Sequence, residues 1–220
     1  MAQGKTPGIT QGKFITFEGG EGTGKSTQVA LLTEALHQAG HDVLATREPG
    51  GSEGAEQIRE LLIHGDTGRW DPWTEALLHF AARREHLRFS VFPALDRGEW
   101  VVCDRFADST MAYQGYGHGL GREAIEGFYD LVVGDFHPDL TLILDLDVET
   151  GLKRASARAR GGDRYERMDM AFHERLRAGF QEIAEREPER CRLIDASAEP
   201  GAVHRAVWQA VSERFAELAA

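Results

Sequence analysis

Residues 19 to 26 combine glycines, a lysine and a serine at a spacing that favours phosphate binding. They read Gly19-Gly20-Glu21-Gly22-Thr23-Gly24-Lys25-Ser26 and directly follow the apolar run 14–17. The glycines allow a tight turn whose backbone N–H groups face phosphate oxygens, while Lys25 supplies a positive charge and Ser26 a hydroxyl for Mg²⁺. A glycine-rich turn that binds nothing is the alternative reading. The strand expected before this P-loop and the helix expected after it argue against that alternative.

Three arginines suggest that the partner of the bound phosphate is itself an anion. Arg47 and Arg105 each follow a short apolar run, and Arg83 lies in a helical segment between them. Two polyanions can be brought together only if their repulsion is neutralised locally, and arginine does this through bidentate contacts. An acceptor phosphate is already ionised near neutral pH, so no general base is needed. Asp104 is expected either to hold Mg²⁺ indirectly or to orient Arg105.

These residues point to a small-molecule kinase rather than to other P-loop proteins. A switch GTPase would need an Asn-Lys-x-Asp segment to read guanine, and the chain has none. A motor ATPase would need a further domain, for which 220 residues leave little room. Arg158, Arg160 and Arg164 surround Gly161-Gly162 and predict a mobile lid near 158–166 that excludes water from the donor phosphates. An exposed basic loop is the alternative for that segment.

The elements that must position these groups form an alternating pattern. Short apolar runs separated by helical segments predict an α/β fold, a three-layer sandwich with a five-stranded parallel sheet, whose ligands bind at the carboxyl ends of the strands. Residues 13–220 are expected to form one domain and residues 1–12 a disordered tail. The strands are expected at 14–17, 43–46, 100–103, 141–146 and 192–194, and the helices at 26–39, 54–64, 72–96, 121–133, 149–160, 169–187 and 201–218.

The composition excludes several other classes. A net charge of −11 argues against a protein that coats nucleic acid, because duplex binding needs a continuous basic face. No apolar run is long enough to cross a membrane or to form a signal peptide, which predicts a cytoplasmic protein. Cys103 and Cys191 each lie in an apolar run and are expected to be packed rather than paired.

Taken together, the motifs resemble the bacterial thymidylate kinase family, from about Lys13 to the C-terminus. The match rests on the segment from Phe17 through the P-loop to Thr27, on Thr46-Arg47-Glu48-Pro49-Gly50-Gly51, on Asp104-Arg105, on Ser109-Thr110-Met111-Ala112-Tyr113-Gln114-Gly115, and on the arginine lid. The resemblance implies a P-loop nucleoside monophosphate kinase-like fold that transfers the γ-phosphoryl group of ATP to dTMP, with Mg²⁺. It also implies a homodimer, with an interface expected on 72–96 or 121–133.

The resemblance also implies roles for single residues. The loop from Gly19 to Thr27, together with Arg164, would bind the ATP phosphates. The dTMP site would contain Glu21, Arg47, Pro49, His79, Arg83, Arg105, Thr110, Tyr113 and Gln114. Within that site, Arg105 would clamp the phosphate, Arg83 would approach the thymine carbonyl, Thr110 and Gln114 would lie near the base edge, and Tyr113 would crowd the sugar C2′ and disfavour ribonucleotides.

Two features of this chain distinguish it within the family: the form of the family that it resembles, and one departure from the usual pattern. The P-loop lacks an arginine, so the chain resembles the form of the family whose catalytic arginine is in the lid, with Arg158 and Arg160 as candidates. Many relatives have phenylalanine where this chain has His79, and we expect His79 to stack on thymine with Phe80 in the core. A histidine packed against its neighbours is the alternative. The competing functions are a P-loop kinase of another nucleotide or of a deoxynucleoside, and a regulatory module that binds ATP without turnover.

Overall fold

A computed structural model describes residues 12–157 and 164–218 and contains one parallel sheet. The strands are β1 (Phe14–Glu18), β2 (Val43–Arg47), β3 (Trp100–Asp104), β4 (Leu140–Asp145) and β5 (Cys191–Asp195). Their order in the sheet is β2-β3-β1-β4-β5, which confirms the predicted five-stranded parallel sheet. Gly12, expected in the disordered tail, is buried against Glu99, and residues 1–11 lie outside the described residues.

Helices cover both faces of the sheet, which gives the three layers expected from the sequence. The predicted segment 72–96 is three helical pieces in direct succession, with a π-helical turn (Leu87–Val91) between two α-helices. The predicted segment 201–218 ends as a helix at Arg214, and a 3₁₀ turn (Ala216–Leu218) follows. The α-helices are α1 (Lys25–Gln38), α2 (Glu53–Ile63), α3 (Pro72–His86), α4 (Phe92–Asp96), α5 (Ala107–Thr110), α6 (Arg122–Val132), α7 (Val148–Ser156), α8 (Met170–Arg186) and α9 (Pro200–Arg214).

The central strand β1 shows why the strand sequences are continuously apolar and do not alternate between apolar and polar residues. All five of its residues are buried. Ile15 and Phe17 point into a core shared with α1 and α9, whereas Phe14 packs on the other side with the π-helical turn and β3. A strand covered on both faces has no solvent side on which to place polar residues.

One element was missed by the sequence analysis and matters most for the site. Residues 107–117, for which the sequence predicts neither a helix nor a strand, form α5 and a second π-helical turn (Met111–Gly117). Small residues and glycines in this stretch give no clear helical periodicity. The helical spacing nevertheless puts Ser109 beside Tyr113 and Thr110 beside Gln114, because residues four apart lie on one face.

The register of the sheet brings the strand ends together. Phe17 of β1 lies opposite Asp104 of β3, and the Arg105 backbone N–H donates to the Phe17 carbonyl at 2.9 Å. The Glu48 N–H, just after β2, donates to the Asp104 carbonyl at 3.0 Å. The segments after β1, β2 and β3 therefore emerge side by side at one edge of the sheet.

Candidate active site

The P-loop runs from the end of β1 into α1, which begins at Lys25, one residue earlier than expected. Gly22 has φ of +67°, and a Cβ atom there would lie 1.9 Å from the carbonyl oxygen of Gly151. Gly24, at the N-cap of α1, is also left-handed, with φ of +91°. Only glycine fits both positions without strain, so the glycine spacing seen in the sequence is a requirement of the backbone.

Lys25 lies on the wall of this loop. Its Nζ donates to the carbonyls of Gly19 at 3.0 Å and Gly20 at 2.6 Å, and to Thr23 Oγ1 at 3.3 Å. Burial and the nearby positive charge of Arg105 lower the pKa of Lys25 to about 8. The loop thus holds a buried cation whose charge is sensitive to the surrounding electrostatics.

Ser26 and Asp104 offer a pair of oxygens suited to a hard cation. The Ser26 hydroxyl donates to Asp104 Oδ2 at 2.5 Å, although 78 residues separate them in the chain. Both side chains line the cavity above the P-loop. Mg²⁺ in phosphate-binding sites takes one or two such protein oxygens and completes its shell with phosphates and water, so this donor set fits Mg²⁺.

Arg105 occupies a strained position between the P-loop and α5. Among the described residues it is the only one other than glycine with positive φ, at +72°. Its Nη1 donates to the Gly19 carbonyl at 2.9 Å and to Ser109 Oγ at 3.1 Å, and its Nη2 lies 3.3 Å from Glu21 Oε1. The guanidinium also stacks on the Tyr113 ring, 5.0 Å from its centroid. A left-handed arginine held this firmly is expected at functional sites.

Two carboxylates hold the Arg105 region in place. Glu18, at the end of β1, accepts from the Phe106 N–H at 2.7 Å and from Ser109 Oγ at 2.5 Å. Burial and the Asp108 charge raise the pKa of Glu18 to about 8. Glu21 accepts from the Tyr113 hydroxyl, and although burial opposes it, the charges of Arg105 and Lys25 keep the pKa of Glu21 below its ordinary value.

Arg83 lies at the far end of the same cavity, and it is almost completely buried. Its Nε donates to Glu48 Oε2 at 2.8 Å, and its Nη2 donates to the Phe106 carbonyl and to Thr110 Oγ1, both at 3.0 Å. Its Nη1 has no hydrogen-bond partner within the described part of the chain. Glu48, which the sequence analysis did not assign to the site, also accepts from His86 Nδ1 at 2.9 Å and fixes Arg83 from behind.

Gln114 lines the cavity close to Thr110 and is fully buried. Its Nε2 donates to Glu75 Oε1 at 2.7 Å, while its Oε1 has no partner among residues 12–157 and 164–218. Arg83 and Gln114 therefore bring one buried donor and one buried acceptor to this pocket. Buried polar atoms without partners are rare and costly in proteins, which makes the pair a candidate recognition site.

His79 lines the same cavity, and Phe80 turns into the core, where it is 1% exposed. The His79 Nε2 lies 2.9 Å from the Tyr165 hydroxyl. Burial lowers the pKa of His79 to about 4, so the imidazole is neutral near pH 7. Tyr165 was not assigned from the sequence, and its position could have been found only from the contact with α3.

Arg47 and Pro49 lie at the mouth of the cavity. Arg47 is more than half exposed and its Nη2 contacts both carboxylate oxygens of Glu56 at 3.0 Å. The Glu48–Pro49 peptide bond is cis, and the Pro49 carbonyl accepts from Arg59 Nη1 at 2.7 Å. Arg59, which lines the cavity from α2, is a further cationic residue that the sequence analysis missed. Arg47, Arg83 and Arg105 thus share one cavity, as the sequence predicted, but at three different depths.

The lid assignment needs a correction at Arg164. Its guanidinium is buried and donates to Glu75 Oε2, to the Leu62 carbonyl at 3.2 Å and to the Thr67 carbonyl at 3.2 Å. It lines none of the three cavities described at the P-loop. A guanidinium committed to these partners is held away from the P-loop in this structure, which argues against the predicted role of Arg164 as a ligand of the ATP phosphates. Arg158 and Arg160, the other lid candidates, lie outside the described residues.

The two larger of the cavities described at the P-loop meet at Gly22 and Gly24. The first, of about 260 Å³, is lined by Glu21, Lys25 and Ser26, and also by Arg47, Pro49, His79, Arg83, Asp104, Arg105, Thr110, Tyr113 and Gln114. The second, of about 270 Å³, lies on the other side of the loop between Thr27, Arg154 and the segment from Ala196 to Val203. Gly22 and Gly24 line both. A molecule in each cavity would therefore meet the other over the phosphate-binding loop.

The match to known proteins agrees with this geometry. The family model for thymidylate kinase matches residues 17–207. The chain belongs to the thymidylate kinase family. Within that family it is 57% identical over 207 residues to a thymidylate kinase of Caulobacter vibrioides, with 94% of this chain and 99% of the relative covered. It is 50% identical over 210 residues to one of a Bradyrhizobium species, with 94% and 93% covered.

A solved structure supports the family fold. The crystal structure of thymidylate kinase from Ehrlichia chaffeensis superposes with a TM-score of 0.76 at 38% identity, covering 91% of this chain and 98% of that one. The family is therefore shared in sequence and in architecture. No helix in the described part of the chain has the length and hydropathy to cross a membrane.

Proposed function

We propose that this protein transfers the γ-phosphoryl group of ATP to the 5′-phosphate of dTMP, giving dTDP and ADP. The observation that carries the proposal is the pair of cavities that share Gly22 and Gly24. ATP occupies the cavity beside Arg154, and dTMP occupies the one that ends at Arg83. The two phosphate chains then meet over the amides of the P-loop, where position and charge lower the barrier.

The acceptor end of the cavity complements thymine. Arg83 Nη1 donates to the O4 carbonyl and Gln114 Oε1 accepts from the N3–H, so each buried atom without a partner gains one. Thr110 holds the Arg83 guanidinium beside the base edge. His79 and Pro49 form walls of the same cavity, with the neutral imidazole stacked on the ring. Tyr113 lies nearer the P-loop, where its ring crowds the sugar C2′.

The phosphates are bound by fixed charges. Arg105 clamps the dTMP phosphate, and Arg47 at the cavity mouth adds positive charge. Glu21 holds Arg105 and approaches the acceptor nucleotide. Gly19, Gly20, Gly22, Thr23, Gly24 and Thr27 supply backbone and hydroxyl groups to the ATP phosphates, and Lys25 supplies its ammonium.

Ser26 and Asp104 would hold Mg²⁺, which when bound neutralises developing charge on the phosphates. The acceptor oxygen is already ionised near neutral pH, so no side chain needs to take a proton from it. The predictions that Arg158 or Arg160 is the catalytic arginine that reaches the transferring phosphoryl group, and that the lid near 158–166 closes over the donor phosphates, stay predictions. Both cysteines are buried and free, which suits the reducing cytoplasm that we propose as its location.

We further propose that a second copy of the chain covers an apolar face on α3 and α6. Trp73 and Leu77 of α3 are about half exposed, and Leu131 of α6 is 82% exposed. Large apolar side chains grouped on neighbouring helices are typical of an interface. Light scattering should give the mass of a dimer, and Leu131→Glu should give that of a monomer.

A coupled assay of ADP release tests the main proposal. The acceptors are dTMP, dUMP, UMP, CMP, AMP, GMP and thymidine, each with MgATP. We expect ADP release that depends on dTMP and is much weaker with UMP, CMP, AMP, GMP and thymidine. The rate with dUMP, which presents the same O4 and N3–H as dTMP, measures how much the 5-methyl group contributes. Release with thymidine would indicate a nucleoside kinase, preference for another monophosphate would indicate a different nucleotide kinase, and no dependence on any acceptor would indicate a regulatory ATP-binding module.

A further inference from the structure

Glu75 is a fully buried carboxylate on α3 that connects the base pocket to the segment just after residue 163. Its Oε1 accepts from Gln114 Nε2 at 2.7 Å and lies 3.4 Å from His118 Nε2. Its Oε2 accepts from Arg164 Nη2. Arg164 is 1% exposed, so both members of this ion pair are removed from water. Burying such a pair is costly, and its retention suggests a role beyond stability.

The charge of Glu75 fixes what it can do to Gln114. Burial by itself would raise the pKa of Glu75. The hydrogen bond from His118, the charge of Arg164 and, at the low pH where its imidazole is protonated, the charge of His79 outweigh burial and lower the pKa of Glu75 to about 2. An ionised carboxylate can only accept hydrogen bonds. The Gln114 amide must therefore turn its NH₂ group toward Glu75. Its carbonyl oxygen is then left for the pocket, where it has no partner among the described residues.

We propose that Glu75 is a specificity-determining positioning residue, which selects a nucleobase with an N–H donor at position 3 by holding the Gln114 amide in one orientation. The proposal rests on the proposed function, because it assumes that a pyrimidine nucleotide occupies this cavity. Glu75 does not touch the base. It acts through Gln114, as Glu48 acts through Arg83 on the neighbouring carbonyl.

Glu75→Gln should reverse the orientation of the Gln114 amide, so that the group facing the base changes from an acceptor to a donor. Arg164 can only donate, so it will take the carbonyl oxygen of the new amide. The NH₂ group of that amide then faces Gln114, which must turn its own oxygen toward it. Gln114 consequently presents NH₂ to the base, a donor facing the N3–H donor of thymine.

The probe is a nucleotide that differs from dTMP only at the edge of the base that faces Arg83 and Gln114. We choose the 5′-monophosphate of 5-methyl-2-pyrimidinone deoxyriboside, which has a lone pair at N3 and a hydrogen at C4. Cytosine is unsuitable, because its 4-amino group would oppose Arg83 independently of Gln114. Calorimetric binding and steady-state kinetics are measured with dTMP and with this analogue.

Arg164→Met is the matched control, because it breaks the same buried ion pair but leaves the Glu75 carboxylate in contact with Gln114. We expect the preference of the protein for dTMP over the analogue, measured as the ratio of dissociation constants, to fall at least tenfold in E75Q. The change should appear in KM more than in kcat. In R164M the ratio should stay within threefold of the starting protein.

Equal changes of the ratio in E75Q and R164M would overturn the proposal, since Glu75 would then act only through stability. A uniform loss of affinity for both nucleotides in E75Q would also overturn it. If E75Q does not fold, the test uses the double variant E75Q/R164M, in which no carboxylate fixes the orientation of the Gln114 amide. Its preference for dTMP over the analogue, measured as the same ratio of dissociation constants, must fall at least threefold relative to R164M. Failure of the unaltered protein to bind or phosphorylate dTMP would instead refute the proposed function.

Discussion

Arg83→Met perturbs stability and substrate recognition at once, and the two effects can be separated. Arg83 and Glu48 form an ion pair in which the side chains are 2% and 4% exposed. Removing one member leaves a buried charge without its partner, which costs about 3 to 5 kcal/mol. For a chain of this size, that corresponds to a fall in melting temperature of roughly 6 to 20 °C.

The double variant with Glu48→Gln should recover much of this loss. The glutamine keeps an oxygen for His86 Nδ1, and with methionine at position 83 no charge is left uncompensated. We therefore expect the double variant to be more stable than either single variant. Urea unfolding followed by tryptophan fluorescence measures this as a shift of the midpoint at constant slope.

Substrate affinity should not recover with stability. Arg83→Met removes the charged donor that faces the base, a loss of about 1.5 to 3 kcal/mol, or roughly 10- to 150-fold in the KM for dTMP. That increase should persist in the double variant, whereas Glu48→Gln alone should change KM less than about fivefold. Additive stability losses, or a KM restored together with stability, would refute the assignment of Arg83 as a base-reading residue held by Glu48.

Three further perturbations follow from the same geometry. His79→Ala should raise the KM for dTMP by an amount matching about 1 to 3 kcal/mol of lost stacking, and an unchanged KM would leave His79 as a packing partner of Tyr165. Because the pKa of Lys25 is lowered to about 8, ATP binding between pH 8 and 10 should restore its proton, which calorimetry in buffers of different ionisation enthalpy would detect as proton uptake. Lys25→Arg should abolish that uptake, and equal uptake in both proteins would contradict the assignment. Asp104→Asn should raise the Mg²⁺ concentration needed for half-maximal activity more than it raises the KM for dTMP, and Ser26→Ala should do so less strongly. An unchanged Mg²⁺ dependence in both variants would show that Ser26 and Asp104 do not bind the metal.

The short-range features of the chain were predictable because their causes are local. The glycine pattern at 19–24 follows from backbone angles that only glycine adopts freely, and β1 reads as apolar because both its faces are covered. Outside residues 107–117, the positions of the strands and longer helices from 14 to 214 followed from the same periodicities. The stretch 107–117 was missed because its helical turns are π-helical in part and contain glycines, which obscure the period.

The sequence by itself determined the parallel sheet, the P-loop and the position of Arg47 and Arg105 at one edge, because strand direction and strand ends are fixed by local pattern. Arg83 lies on α3, and it reaches the same cavity through tertiary packing. Only the tertiary structure decided which side chains these functional residues contact. Arg164 looked like a ligand of phosphate because it lies beside glycines and other arginines, yet it is buried on Glu75. Which carboxylate lies behind an arginine or a glutamine depends on contacts between residues far apart in the chain, and no local period encodes them.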